Sequence, residues 1–223
     1  GMGHNSECDV TINADGSGKK LLIGPDRISS DPDDDTAVFE EERGAYLDDR
    51  LLDDEGHVLV AVQPFDANPL THVERVDVYS GVHKMVASAP VRNAKFTADA
   101  SGVVRFAEGS GNDNSQKLYY RKRAEDPWRL MNDEAESGHR EVPVGFSDDG
   151  QTAYLQIEHA QGPDSIEAMD TNSGQRHELL RDPVVNPFGI IYQGGRKTPV
   201  GAYFMSDRLH ARFFDEASPS AKQ

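Results

Sequence analysis

Gly145-Phe146-Ser147-Asp148-Asp149-Gly150-Gln151-Thr152-Ala153-Tyr154-Leu155-Gln156-Ile157-Glu158 reads as a tight turn that feeds a strand. Ser, Asp and Gly close turns, the first two by bonding their own backbone and glycine by accepting a positive φ. After the turn, Ala153, Leu155 and Ile157 alternate with Tyr154, Gln156 and Glu158. A period of two puts the first set on one face of a sheet and the second set on the other.

The same unit recurs in both directions along the chain. Leu52-Asp53-Asp54-Glu55-Gly56 precedes Val58-Leu59-Val60-Ala61-Val62, and Phe96-Thr97-Ala98-Asp99-Ala100-Ser101-Gly102 precedes Val103-Val104-Arg105-Phe106-Ala107. A weaker copy, Tyr192-Gln193-Gly194-Gly195, precedes Val200-Gly201-Ala202-Tyr203-Phe204. The landmark glycines 56, 102, 150 and 195 are separated by 46, 48 and 45 residues. A second marker agrees with the first: the turns Asp77-Val78-Tyr79-Ser80-Gly81 and Asp170-Thr171-Asn172-Ser173-Gly174 lie 93 residues apart, while Gly56 and Gly150 lie 94 apart. Alternation also marks Val76 and Val78, and Leu118 and Tyr120, with a further turn at Glu125-Asp126-Pro127 before Trp128-Arg129-Leu130-Met131. No helical stripe stands out beyond residue 50. Short antiparallel strands repeating about every 46 residues predict an all-β chain, a partial β-propeller of four to five four-stranded blades. Each blade must bury both faces against its neighbours, which forces radial repetition.

Residues 1–50 are less regular. Val10-Thr11-Ile12 and Lys20-Leu21-Leu22-Ile23 suit a divergent first blade, followed by the acidic loop Asp31-Pro32-Asp33-Asp34-Asp35. The blades are expected over 51–216 and a flexible polar tail over 217–223. The 223 residues suffice for one large domain or two small ones. With 23 Lys and Arg against 39 Asp and Glu, the formal charge is −16, which repels nucleic acid and anionic membrane surfaces. No apolar run approaches the roughly 20 residues that a spanning helix needs. Cys8 is the single cysteine, which excludes an internal disulfide and a multi-cysteine zinc site. Gly1 ahead of Met2 reads as the remnant of a cleaved tag, and the residues after it show no signal-peptide pattern. The compartment is therefore left open by the sequence.

Chemistry-bearing motifs fail on inspection. Gly16-Ser17-Gly18-Lys19-Lys20 resembles the end of a P-loop, but Asn13 replaces the first glycine and Lys20 the hydroxyl that would hold magnesium. Gly109-Ser110-Gly111-Asn112-Asp113-Asn114 lacks the third glycine of a dinucleotide loop and reads as a hairpin turn. His177-Glu178-Leu179-Leu180-Arg181 has arginine where a zincin helix needs its second histidine. Asp31 to Asp35 lack the glycine and glutamate of a calcium loop, and Glu40-Glu41-Glu42 and Asp48-Asp49 suit a solvated surface. No Gly-x-Ser-x-Gly nucleophile elbow is present. No catalytic, cofactor-binding or metal-binding residue and no cofactor is assigned.

Over residues 45–216 the chain resembles a known family. Arg75-Val76-Asp77-Val78-Tyr79-Ser80-Gly81, Ala89-Pro90-Val91-Arg92-Asn93-Ala94, Lys117-Leu118-Tyr119-Tyr120-Arg121, Gly145 to Leu155, Gly162-Pro163-Asp164 and Thr198-Pro199-Val200-Gly201-Ala202 are similar to blades of the N-terminal β-propeller of the prolyl oligopeptidase family of serine peptidases, in particular its bacterial members. Family members follow seven or eight blades with an α/β-hydrolase domain carrying Ser, Asp and His, and no position here corresponds to that triad. The resemblance implies a non-catalytic propeller portion that gates substrate access in a parent hydrolase, inactive alone, and exported if like its relatives. The alternative is a freestanding propeller scaffold that binds a peptide or protein segment at its face. A small propeller enzyme using carboxylates or a metal is a weaker third reading. A truncated propeller exposes strand edges, so self-association through blade edges is also expected.

Overall fold

The computed structural model describes residues 9–11, 20–23, 43–51, 54–64, 70–194 and 196–215. The strands are β1 (Asp9–Thr11), β2 (Lys20–Ile23), β3 (Arg43–Arg50), β4 (His57–Pro64), β5 (His72–Asp77), β6 (His83–Ser88), β7 (Arg92–Ala98), β8 (Val104–Ser110), β9 (Gln116–Tyr120) and β10 (Arg129–Asp133). One helical turn, α1 (Glu134–Ser137), leads to β11 (Glu141–Phe146), β12 (Thr152–Ile157), β13 (Ser165–Asp170), β14 (Arg176–Arg181), β15 (Pro187–Tyr192), β16 (Pro199–Met205) and β17 (Leu209–Phe213). β1 and β2 form a two-stranded ladder. The rest form four antiparallel sheets: β3 to β6, β7 to β10, β11 to β14, and the three-stranded β15 to β17, each in chain order. The chain is all-β, as the period of two requires.

Two compact units divide it, residues 1–96 and 97–223, with the boundary inside β7. No helix among the described residues is long and apolar enough to cross a membrane.

The repeat is physical. Gly56, Gly102 and Gly150 all fall between the first and second strands of a sheet, the fourth landmark, Gly195, lies outside the described residues, and the two Asp-x-x-Ser-Gly turns fall between the third and fourth strands. In those turns the aspartate side chain ends the third strand by accepting backbone N–H groups. Asp77 Oδ1 accepts from Tyr79 (2.9 Å) and Ser80 (2.8 Å), and Asp170 Oδ1 accepts from Asn172 (3.0 Å) and Ser173 (2.7 Å). Gly81 and Gly174 then sit at φ 72° and 74°, which glycine adopts without steric cost. This is why β5 stops at Asp77, and Val78, expected to continue the strand, begins the turn. One backbone bond recurs in each of the four larger sheets. The residue after the third strand donates to the start of the second: Val78 to Gly56, Arg121 to Arg105, Thr171 to Gln151, Phe214 to Val200, all at 2.8–2.9 Å.

Within residues 97–223 the sheets stack face to face. Ala153, Leu155, Ile157, Met169 and Phe146 of the third sheet share a buried cluster with Phe106 and Leu118 of the second. On its opposite face Ile166 and Leu180 meet Ala202 and Phe204 of the fourth, and Tyr154 stacks on Phe214 at 5.3 Å. The third sheet is therefore covered on both sides. The alternation read from the sequence supplies this, Leu155 pointing one way and Tyr154 the other, and each fully buried Leu or Phe contributes about 1.5–3 kcal/mol. In the first unit, Val60, Val62 and Val76 form a smaller cluster of their own.

Candidate functional site

A cleft of about 350 Å³ opens at one end of the third sheet, lined by Glu134, Arg140, Val142, Gln156, Glu158 and Asp164. Its walls come from α1, the start of β11, the end of β12 and the approach to β13. The helical turn forms because Asp133 caps it, accepting from the Ala135 amide at 3.0 Å, and it stops at Gly138 in the left-handed region. That geometry holds Glu134 in place. Its Oε2 accepts from the Gln116 amide at 2.8 Å and its Oε1 from Arg140 Nε at 3.0 Å. The Gln116 amide, and after it Arg140, hold the Glu134 carboxyl below the ordinary glutamate range against the opposing effect of desolvation. Glu158 accepts from the Arg140 amide at 3.0 Å, and Asp164 from Gln156 Nε2 at 2.8 Å. The Asp164 amide in turn donates to Asn186 Oδ1 at 2.9 Å, which fixes the approach to β13.

Three carboxylates and one guanidinium give the cleft a net negative charge, with Val142 as an apolar wall. Such a set attracts a cation and accepts hydrogen bonds. None of the six lining residues is a serine, threonine, cysteine or histidine, so the cleft pairs no nucleophile with an imidazole base.

The other polar clusters brace the fold. Arg105 is buried between Asp99, Tyr120 and the Gly150 carbonyl. Arg121 donates to the carbonyls of Val104 and Ala124 (both 2.8 Å) with its guanidinium 4.5 Å from the Trp128 ring. Glu74 is clamped by His72 and His83. Among the described residues no group of three or more His, Cys, Asp or Glu is placed to hold a metal ion.

Of the motifs set aside from the sequence, His177 and Glu178 lie exposed on strand β14, not on a helix. Gly109 and Ser110 end β8, and the hairpin turn follows over 111–115. Asp48 and Asp49 belong to β3. Gly16 to Lys19, Asp31 to Asp35, Glu40 to Glu42 and the tail 217–223 lie outside the described residues. Sequence reasoning missed the cleft, because Glu134, Glu158 and Asp164 are 3 of 39 acidic residues and nothing local distinguishes them. Only strand pairing brings them together.

No family model matches the chain, and no curated protein matches it. Among solved structures it is similar to TolB from Acinetobacter baumannii, with a TM-score of 0.50 and 11% identity over 92% of this chain and 48% of that one. At that identity the likeness speaks for the fold, a β-propeller, and the chain spans about half the length of the protein it matches. Nothing in these comparisons ties the chain to the prolyl oligopeptidase family, to serine peptidases or to a gating role. The residues behind that resemblance are turn and strand markers, which any propeller of similar period needs.

Proposed function

We propose that this chain is a β-propeller scaffold that binds a peptide or protein segment, its four sheets being blades and the cleft beside α1 a receptor for a basic side chain. The observation that carries this reading is the convergence of Glu134, Glu158 and Asp164 on one cleft with a single cation, Arg140, already tied to Glu134. The TolB-like fold supports the scaffold part. A lysine or arginine side chain entering the cleft would find carboxylates whose geometry the protein has already fixed, so little ordering cost remains. The scaffold reading replaces the gating one, which has only blade-turn residues behind it.

The test uses a fluorescein-labelled peptide, acetyl-Gly-Val-Arg-Val-Gly-amide, and anisotropy. Saturable binding that falls about tenfold in Glu158→Gln and in Asp164→Asn, as expected for a lost charge-assisted contact, supports the proposal. Equal binding of the same peptide with glutamine in place of arginine overturns it. Covalent labelling of the chain by a fluorophosphonate would restore a hydrolase reading instead.

A further inference from the structure

The link from the third sheet to the fourth, Asp182-Pro183-Val184-Val185-Asn186-Pro187, leads into Phe188 at the start of β15. It touches the wall of the cleft at α1. The Asn186 side-chain carbonyl accepts from the amide of Asp164, one of the cleft's carboxylates, at 2.9 Å. Val184 and Phe188 each stand two residues from Asn186, so the backbone carries neither more than about 7 Å from it. Both side chains face water: Val184 is 75% exposed and Phe188 68%.

Local geometry holds them there. Asp182 Oδ1 accepts from the amides of Val184 and Val185 at 2.9 and 3.1 Å. The resulting turn packs Val185 against the cluster of Ile166, Leu180, Ala202 and Phe204 and leaves Val184 outside it. Pro183 and Pro187 fix φ on either side. Phe188 is the extra residue of a bulge. Pro187 pairs with Phe204 and Gly189 with Tyr203, and the residue between them is left unpaired, an arrangement that re-aims a side chain. The fold itself does not demand such exposure in its links. From β6 to β7 both Ala89 and Val91 are buried, and α1, in the link from the second sheet to the third, carries no large apolar residue.

On the reading of the cleft as a receptor for a basic side chain, on which this depends, we propose that Val184 and Phe188 extend it into a composite site. The segment that binds there carries a large apolar residue two positions from its lysine or arginine. In an extended segment, residues i and i+2 lie on one face about 7 Å apart. A basic side chain that reaches Glu158 and Asp164 therefore brings this neighbour to the apolar pair beside them. Because Asp182, Asn186 and the two prolines have already fixed the link, little further ordering is needed when the segment settles on it. The partner is a segment both basic and apolar, and a cation with only polar neighbours is a poor ligand.

The whole chain is titrated against two peptides by anisotropy, fluorescein-Gly-Leu-Ser-Arg-Ser-Leu-Gly-amide and its counterpart with serine in place of both leucines. The leucine peptide should bind about tenfold more tightly. The double variant Val184→Ser, Phe188→Ser should cancel that advantage, and since both side chains are exposed the exchange leaves the packed clusters intact. Val184→Ser alone, in the link and outside the strands, serves if the double variant misfolds and should reduce the advantage about threefold. Equal binding of the two peptides, each weakened about tenfold when glutamine replaces its arginine, overturns the apolar extension and leaves the basic cleft standing. A leucine advantage that survives the variants also overturns it. If neither peptide binds, or if the leucine peptide binds equally with glutamine in place of arginine, the reading of the cleft falls and the extension falls with it.

Discussion

Arg105 and Gly150 stand one repeat apart, 45 residues, and Nη1 of Arg105 donates to the Gly150 carbonyl oxygen at 2.6 Å. The second sheet thus grips the landmark turn of the third. Nη2 of the same guanidinium donates to the Tyr120 hydroxyl at 2.6 Å, Asp99 lies 3.4 Å from Nη1, and the Phe146 ring lies 4.7 Å from the guanidinium carbon. A Cβ at Gly150 would sit 3.2 Å from Nη1, so the landmark glycine both turns the chain and leaves room for the arginine.

Removing that grip should be costly. Arg105→Met keeps the stem but removes the charged donor shared by the Gly150 carbonyl, the Tyr120 hydroxyl and Asp99 Oδ2, leaving Thr171 Oγ1 at 3.1 Å as the carbonyl's side-chain donor, and should destabilise the chain by about 3 kcal/mol. Arg105→Lys should fall between, because an ammonium cannot serve three diverging acceptors in the plane of a fork. Urea unfolding reads both: the midpoint should drop with little change in slope. A neutral Arg105→Met would mean that the cluster contributes no more than an apolar filling would.

The stacking of the third sheet between its neighbours is open to the same measurement. Phe146→Ala and Leu155→Ala should each cost about 2–5 kcal/mol as buried truncations. Both residues lie in one cluster, so their effects should couple. Leu155 and Phe204 lie on opposite faces of the third sheet, so that pair should add to within about 0.5 kcal/mol. Coupling between Leu155 and Phe204 would show that the faces are assigned backwards.

The repeat was legible because its marks are local. Gly56, Gly102, Gly150 and the two Asp-x-x-Ser-Gly turns announce themselves through turn chemistry, and Ala153, Leu155 and Ile157 through a two-residue period. The cleft was not legible, since Arg140, Glu158 and Asp164 meet only through the pairing of β11, β12 and β13. The peptidase part of the resemblance finds no support beyond the propeller fold for a related reason: it rested on residues that make blades, and blades are shared by proteins with unrelated functions.

Gly145 offers a test of how closely the third and fourth sheets approach. Its φ is 142°, and a Cβ there would lie 2.9 Å from the Lys197 carbonyl oxygen and from two ring atoms of Pro199. Gly145→Ala meets both backbone strain and a hard contact, and should cost about 2–4 kcal/mol. Gly138→Ala is the control, with φ 73° but no atom within 4 Å of the added carbon, and strain alone should cost about 1 kcal/mol. Equal losses at the two sites, read by thermal unfolding, would mean that the sheets part easily at Gly145.

Glu74 sets a pH dependence whose sign can be worked out. Burial alone would raise its pKa above the ordinary 4.5, but hydrogen bonds from His83 Nδ1 at 2.7 Å and His72 Nε2 at 3.0 Å outweigh burial and lower it. A carboxylate whose folded pKa is depressed binds its proton more readily when unfolded. Its contribution is therefore fully present above pH 4.5 and is lost as the pH falls through the lower folded value. Glu74→Gln removes the charge at every pH, so wild type should exceed the variant at about pH 6, with the gap closing as the pH is lowered below 4.5. The wild-type curve alone cannot isolate this, because Asp77 and Asp170, held low chiefly by backbone N–H groups, weaken with the same sign. The difference between the two proteins does isolate it. A gap in urea midpoint that widens on acidification would mean that burial, and not the two imidazoles, governs Glu74.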